Sequence, residues 1–232
     1  MPRASVLLRF LVASTTLLGL GALVVVQPAT AVARHTATTE LWTPTPAPLP
    51  ARLPDGGQPV TSVLRDTSCS STSFCVAVGY VQDSGNTYPL VETDNKGVWA
   101  ASLAPMPQGY VTNGNIGALY SVSCASDGHC AAAGDYDIST QTQYDIQEQQ
   151  NGLLETLSNG TWMATEASRA AIPSSGGLVN LNSVSCSDAT TCMGVGDWSY
   201  APSQSIGLAY VSSSNGWTLE TSPPMPSERI WR

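Results

Sequence analysis

The chain has 232 residues, with 17 acidic against 9 basic side chains and a formal net charge of −8. So acidic a surface repels phosphate backbones, which argues against nucleic acid as a partner. The length allows one or two domains, and the repeat units contain few large residues, with two Phe in the whole chain.

Residues 1–33 read as a secretory signal peptide. Arg3 and Arg9 give a positive start, Phe10 to Val26 is uncharged and apolar or small, and Ala29-Thr-Ala31 and Ala31-Val-Ala33 are small-x-small cleavage sites. The alternative is a retained membrane anchor, but the apolar run falls short of the roughly 20 residues a span needs. Cleavage removes two arginines and no acid, taking the charge from −8 to −10. It leaves no second run long enough to span, so the expected product is secreted or held at the cell surface.

Residues 34–60 carry Pro44, Pro46, Pro48, Pro50, Pro54 and Pro59. Proline at this density keeps a chain extended and removes ladder donors, so the segment reads as a linker. Within it, Trp42-Thr-Pro-Thr-Pro-Ala-Pro-Leu-Pro50 is a stray copy of an element found again at Trp99-Ala-Ala-Ser-Leu-Ala-Pro-Met-Pro107 and at Trp217-Thr-Leu-Glu-Thr-Ser-Pro-Pro-Met-Pro226.

From residue 61 the chain repeats. Cysteines pair at one spacing in Asp66-Thr-Ser-Cys69-x5-Cys75-Val-Ala-Val-Gly79, Ser121-Val-Ser-Cys124-x5-Cys130-Ala-Ala-Ala-Gly134 and Ser183-Val-Ser-Cys186-x5-Cys192-Met-Gly-Val-Gly196. Each copy closes on a tryptophan: Trp99, Trp162 and Trp217. An even cysteine count at fixed spacing in an exported chain predicts the disulfides Cys69–Cys75, Cys124–Cys130 and Cys186–Cys192. Zinc is the rival, but its sites use shorter spacings and four gathered ligands, and His35 and His129 are the only histidines. Each short loop contributes on the order of 2 kcal/mol by the chain-entropy argument.

Each repeat divides into four predicted strands. The first carries the Ser-Val-Ser-Cys or its equivalent. The second follows the second cysteine (Val76–Tyr80, Ala131–Tyr136, Met193–Trp198). The third is Tyr88–Thr93, Gly152–Leu157 or Ile206–Ser212, and the fourth starts at the tryptophan. Asp94-Asn-Lys-Gly97, Ser158-Asn-Gly160 and Ser213-Ser-Asn-Gly216 precede the tryptophans and supply the positive φ of a hairpin turn. The polar stretch Asp137–Gln150 reads as a long loop. Four antiparallel strands repeating at this period predict an all-β chain of tandem four-stranded blades, a partial, three-blade β-propeller-like fold. The blades span about 61–107, 118–173 and 180–226.

The Ser-Val-Ser-Cys-x5-Cys-x-Ala-x-Gly pattern with its later tryptophan resembles the repeat of secreted bacterial β-propeller-like proteins over about Thr61 to Pro226. The turn before each tryptophan is distantly similar to the Asp-box of sialidase-like propellers, although Gly97, Gly160 and Gly216 sit closer to their tryptophans than the Asp-box glycine does. The resemblance implies a propeller-type fold. It carries no activity with it, since propellers host many functions.

Closed propellers have about four to eight blades. Three blades predict an open fan with bare end faces, exposing strands such as Val76-Ala-Val78 and Leu208-Ala-Tyr-Val211, and hence self-association; two copies would complete six blades. A truncated copy of a longer propeller is the other reading of the count.

Candidate chemistry is thin. Asp135, Asp137, Asp145 and Glu148 in the presumed loop are candidates for a ligand or Ca²⁺, which takes about six to eight oxygens; the EF-hand spacing is absent, and a solvated acidic loop is the alternative. Asp135 and Asp197, at equivalent repeat positions, are the best pair for glycoside hydrolysis, although repeat-equivalent residues usually serve the repeat. Tyr80, Tyr136, Trp198, Tyr200 and Tyr210 offer either an aromatic surface or packing between blades. Asn159-Gly-Thr161 matches a glycosylation acceptor within a turn. No Gly-x-Ser-x-Gly elbow, cofactor motif or phosphate-cradling loop is present. The expected function is an exported non-enzymatic binding or scaffold module for a protein or glycan ligand, with a glycosidase-type propeller as the alternative.

Overall fold

The computed structural model describes residues 46–108, 110, 117–142, 145–167, 177–201 and 204–220, without the side chains of 139–142, 145–149, 200 and 201. The described residues form twelve strands: β1 (Thr61–Ser71), β2 (Phe74–Gln82), β3 (Thr87–Asn95), β4 (Val98–Leu103), β5 (Ala118–Ser126), β6 (His129–Thr142), β7 (Asp145–Ser158), β8 (Thr161–Glu166), β9 (Leu178–Cys186), β10 (Cys192–Ala201), β11 (Gln204–Ser213) and β12 (Gly216–Glu220). They pair as three four-stranded antiparallel sheets, β1-β2-β3-β4, β5-β6-β7-β8 and β9-β10-β11-β12. The chain is therefore all-β, a tandem of three propeller-like blades. Residues 42–45 of the Trp42 element lie outside the described residues, and 46–50 form no strand.

The turns form where the sequence supplies positive φ. Lys96 and Gly97 (57° and 83°) join β3 to β4, and Asn159 and Gly160 (51° and 78°) join β7 to β8. Positive φ at both central residues gives the hairpin turn whose twist matches that of its strands. Trp99, Trp162 and Trp217 sit on the fourth strand of their blades. The three disulfides join Cys69–Cys75, Cys124–Cys130 and Cys186–Cys192, pairs directly opposite each other on the first hairpin of each blade, with Cα atoms 4.0, 4.0 and 3.9 Å apart. Such bonds belong to an oxidising compartment. Among the described residues no helix is long and apolar enough to cross a membrane.

One expectation is corrected by the middle blade. Asp137–Gln150 is not a loop: β6 and β7 stay paired from Cys130↔Leu157 out to Thr142↔Asp145, forming a two-stranded arm. The polarity of the stretch does not prevent pairing, because the backbone ladder is satisfied strand to strand.

Each blade carries an extra residue part-way along its first strand, opposite the motif glycine. The register slips at Leu64/Asp66, at Leu119/Ser121 and, opposite Val195/Gly196, between Ser183 and Leu181, which leaves Arg65, Tyr120 and Asn182 unpaired as bulges. The bulge explains the glycine that ends each repeat motif. A Cβ on Gly79, Gly134 or Gly196 would stand 1.8, 1.9 or 1.8 Å from the carbonyl oxygen of Val63, Ala118 or Asn180. No side chain fits there.

The blades pack face to face in order. Val76, Val78 and Val91 of the first meet Leu119, Val122, Ala132, Tyr136, Leu153 and Leu157 of the second. Ala131, Ala133 and Leu154 of the second meet Val179, Leu181, Val184, Trp198, Leu208, Tyr210 and Trp217 of the third. Among the described residues the strands of the first and third blades make no comparable packing with each other, so the fan is open. The expected bare strands are placed differently, however. Val76, Val78, Leu208 and Tyr210 all point into the junctions and are buried. The leading face of the first blade is partly covered as well: Leu53, in the coil at 46–60, packs on Val81, Tyr88 and Leu90. That coil is thus seated on the sheet, and Val60 N–H extends the ladder to the Gln82 carbonyl at 2.8 Å.

A hydrogen-bonded clasp repeats at both junctions. Val122 N–H donates to Asp66 Oδ2 (2.9 Å) and Cys124 N–H to Ser68 Oγ (2.9 Å). One repeat on, Val184 N–H donates to Ser121 Oγ (3.2 Å) and Cys186 N–H to Ser123 Oγ (3.0 Å). The polar residues of the Ser-Val-Ser-Cys motif are therefore acceptors for the next blade. They satisfy two edge N–H groups that the ladder cannot reach.

Candidate functional site

A cleft of about 220 Å³ opens between the first and second blades, at the strand ends away from the disulfides. Two bulge residues, Arg65 and Tyr120, line it together with Tyr80, Gln82, Thr87, Asp135, Asp137 and Gln150. The bulges matter here because an extra residue re-aims a side chain that a regular strand would place elsewhere. In the first two blades the residue after the motif glycine then meets the bulge residue of its own blade. In the first blade the Arg65 guanidinium lies 5.4 Å from the centre of the Tyr80 ring, a cation–π contact. In the second, the Tyr120 hydroxyl donates to Asp135 Oδ1 at 3.1 Å.

Asp135 is only 5% exposed. Burial pushes its carboxyl up to about 6; the Tyr120 hydrogen bond pulls the other way, the Asp137 charge adds to the rise, and Gln150 opposes it. Burial and the neighbouring Asp135 charge also raise the Tyr120 phenol, which stays a hydrogen-bond donor. At neutral pH the cleft thus presents a desolvated carboxylate, a second carboxylate, a guanidinium, two phenol rings and two amides.

A slightly larger cleft of about 260 Å³ lies at the opposite, disulfide end of the second junction, beside Cys130, Leu157, Met163, Cys192 and Trp217. Its acid, Asp188, is occupied by its own turn. The Oδ1 atom accepts from Thr190 N–H (2.9 Å), Thr190 Oγ1 (2.8 Å) and Thr191 N–H (2.9 Å), which holds the carboxyl down at about 2. Its role is to build the turn, so the smaller cleft carries the better constellation.

Of the four acids expected to act together, Asp135 and Asp137 line this cleft. Glu148 pairs in register with Ser139 and Asp145 with Thr142; their side chains are outside those described. Seven residues of ribbon separate Asp135 from Thr142, about 23 Å at a strand's rise, so the four cannot converge on one cation. Among the described residues no group of three or more His, Cys, Asp or Glu side chains is gathered for a metal. Asp135 and Asp197 belong to different blades, and Asp197 accepts instead from Ser199 Oγ at 2.8 Å. Tyr136, Tyr210 and Trp198 are buried between blades, so they pack; Tyr80 alone of the expected aromatic surface lines the cleft, and the Tyr200 side chain is not among those described.

Arg65, Tyr120, Gln82, Thr87 and Gln150 were not legible as a site. Their signal was the isolated motif glycine, which marks a bulge opposite it, and hence a residue aimed out of the sheet.

Comparison of the chain with models of known families, with curated proteins and with solved structures returns no match.

Proposed function

We propose that this protein is an exported, non-enzymatic binding module, of the kind its repeat resembles, and that the cleft between its first two blades takes a glycan. The observation that supports this most directly is the pairing of Tyr80 and Tyr120 with a buried Asp135 and the Arg65 guanidinium. Sugars are bound by such a set: phenol rings cover apolar C–H faces, while carboxylates and amides hydrogen-bond the hydroxyls. Export follows from the signal-like residues 1–33 and accords with three disulfides.

The alternative, a glycosidase-type site, draws on Asp135, whose raised carboxyl beside Asp137 suits a general acid. Asp135 is nonetheless almost wholly covered and held by Tyr120, which fits a positioned acceptor better than an acid reaching a glycosidic oxygen.

A glycan array followed by calorimetry on the best binder tests the proposal. Asp135→Asn and Tyr80→Ala are expected to weaken binding by about tenfold or more, roughly 1.4 kcal/mol. Affinity should fall as pH drops through about 6, where Asp135 gains its proton. Absence of binding across the array overturns the reading, and glycoside turnover that disappears in Asp135→Asn replaces it with the enzyme.

A further inference from the structure

Charge is unevenly placed in the cleft between the first two blades. Its lining holds two carboxylates, Asp135 and Asp137, against one guanidinium, Arg65. Asp135 is buried and Asp137 half-buried, whereas Arg65 is exposed. The guanidinium does not serve the buried acid: it lies over the Tyr80 ring, 5.4 Å from its centre. The neighbours that act on the Asp135 carboxyl are the Tyr120 hydroxyl, the Gln150 side-chain amide and the Asp137 charge. Two are neutral donors and the third is a like charge; none is a cation. A carboxylate drawn out of water and held by neutral donors keeps its charge uncompensated, and in a poorly solvated place that charge acts more strongly than it does in bulk water.

Three kinds of sugar substituent meet this charge differently. A carboxylate, as in an acidic sugar, approaches two like charges and an arginine already stacked on a ring. A hydroxyl donates one hydrogen bond and compensates no charge. An ammonium brings three N–H donors, no acceptor and a full positive charge, and its hydrogen bonds to carboxylates are of the stronger, charge-assisted kind. A second feature of the cleft favours it. Tyr80 already carries a cation on its face, so the rings here are placed for cation–π contact as well as for sugar C–H groups. The formal charge of −8 on the whole chain draws cations from a distance in the same sense.

We propose that the cleft selects an amino sugar, with the free ammonium of the sugar seated against Asp135 and Asp137 and its ring against the phenols. The proposal rests on the glycan reading given above and narrows it. A pH signature follows. Affinity falls below about 6, where Asp135 gains its proton, and falls again at alkaline pH, where the sugar amine loses its own. A sugar without an amine has the acid limb alone. Near pH 6 the ammonium favours the ionised carboxyl, so binding releases a proton from Asp135.

Calorimetry at pH 7 on the disulfide-bonded protein tests this, with a short glucosamine oligosaccharide and its N-acetylated counterpart as probes. The free-amine form is expected to bind about tenfold tighter or more, roughly 1.4 kcal/mol. Asp137→Asn should abolish that preference. Glu220→Gln, the same change of charge at an exposed position outside the cleft, should keep it. Equal or tighter binding of the N-acetylated form, or binding of neutral or acidic sugars alone, overturns the proposal and leaves the glycan reading standing; absence of binding to any sugar removes both. Oligolysine of equal charge that binds as tightly and is weakened by Asp137→Asn gives the cleft to a basic peptide and also overturns it. If Asp137→Asn fails to fold, the pH profile of the unmodified protein decides: an alkaline limb for the free-amine probe supports the proposal, and a flat alkaline profile sinks it.

Discussion

The two junctions of the fan share a clasp but not a filling. Both place a side-chain oxygen from one blade under the Val and Cys N–H groups of the next, at 2.9 Å in the first junction and at 3.0 to 3.2 Å in the second. Between the sheets they diverge. The second junction is filled by Leu181, Trp198, Tyr210 and Trp217, and Trp217 Nε1–H reaches back to Thr156 Oγ1 at 3.0 Å. The first junction is filled mainly by aliphatic residues around Tyr136, and by Glu155, which takes the place that Tyr210 takes one blade later. Glu155 is fully buried, and its two carboxyl oxygens meet no hydrogen-bond partner among the described residues. The difference teaches that the motif sets the spacing and direction of the blades, while the filling sets how stable each junction is.

The largest effect should come from what the junctions share. Gly134→Ala and Gly196→Ala each put a Cβ about 2 Å from a backbone carbonyl oxygen (1.9 Å from Ala118 and 1.8 Å from Asn180). Backbone cannot yield as a flexible side-chain end does, so the bulge must be remade. A loss of more than about 3 kcal/mol is expected at either site, read by urea denaturation with disulfides intact. A much smaller loss at only one of them would show that the bulge is not common to the blades.

A second effect separates the junctions. Burial raises the Glu155 carboxyl to about 9 in the folded protein, against an ordinary value near 4.3. The folded state then holds a proton that the unfolded state has released. Stability from this group is complete below the unfolded value and is lost as pH rises toward about 9. Glu155→Met replaces the carboxyl with an unbranched apolar chain that suits the gap between Ala132 and Ala164. The expected gain at pH 8 is on the order of 1–3 kcal/mol, or a few degrees or more in Tm, with little gain at pH 4. Tyr210→Glu should carry the same pH dependence into the second junction. Thermal melts across this pH range check both, and an equal gain at pH 4 and pH 8 would show that Glu155 is not held neutral.

How far the sequence carried the structure depends on whether the signal was local. The strand order, the turns at Lys96-Gly97 and Asn159-Gly160, and the cysteine pairing depend on neighbours within about a dozen residues, and these were legible. The role of Ser68 and Ser123 was not, because their partners Cys124 and Cys186 lie 56 and 63 residues away; the repeated serines were visible without their reason. The arm at Asp137–Gln150 reads as a loop in sequence because its polarity outweighs its alternating, pairable pattern. In the site, Asp135 and Asp137 stood out as acids, but Arg65 and Tyr120 enter only through a one-residue slip in β1 and β5. Such a slip changes which face a side chain takes while leaving composition and period almost unaltered.

The smallest effect asks whether the clasp itself is equivalent along the fan. Ser68→Ala and Ser123→Ala each leave a part-buried cysteine N–H of the following blade without its acceptor. A loss of about 1 kcal/mol is expected for each, and the two should agree, since distance, donor and motif position are alike. Ser185→Ala removes the same hydroxyl from the third blade, where it is exposed, so in dilute solution the change should stay within about 0.5 kcal/mol. The three variants therefore separate two meanings of one motif. If the serine served its own hairpin, all three would lose the same amount, because all three hairpins carry the same disulfide. If it serves the next blade, the first two lose and the third does not.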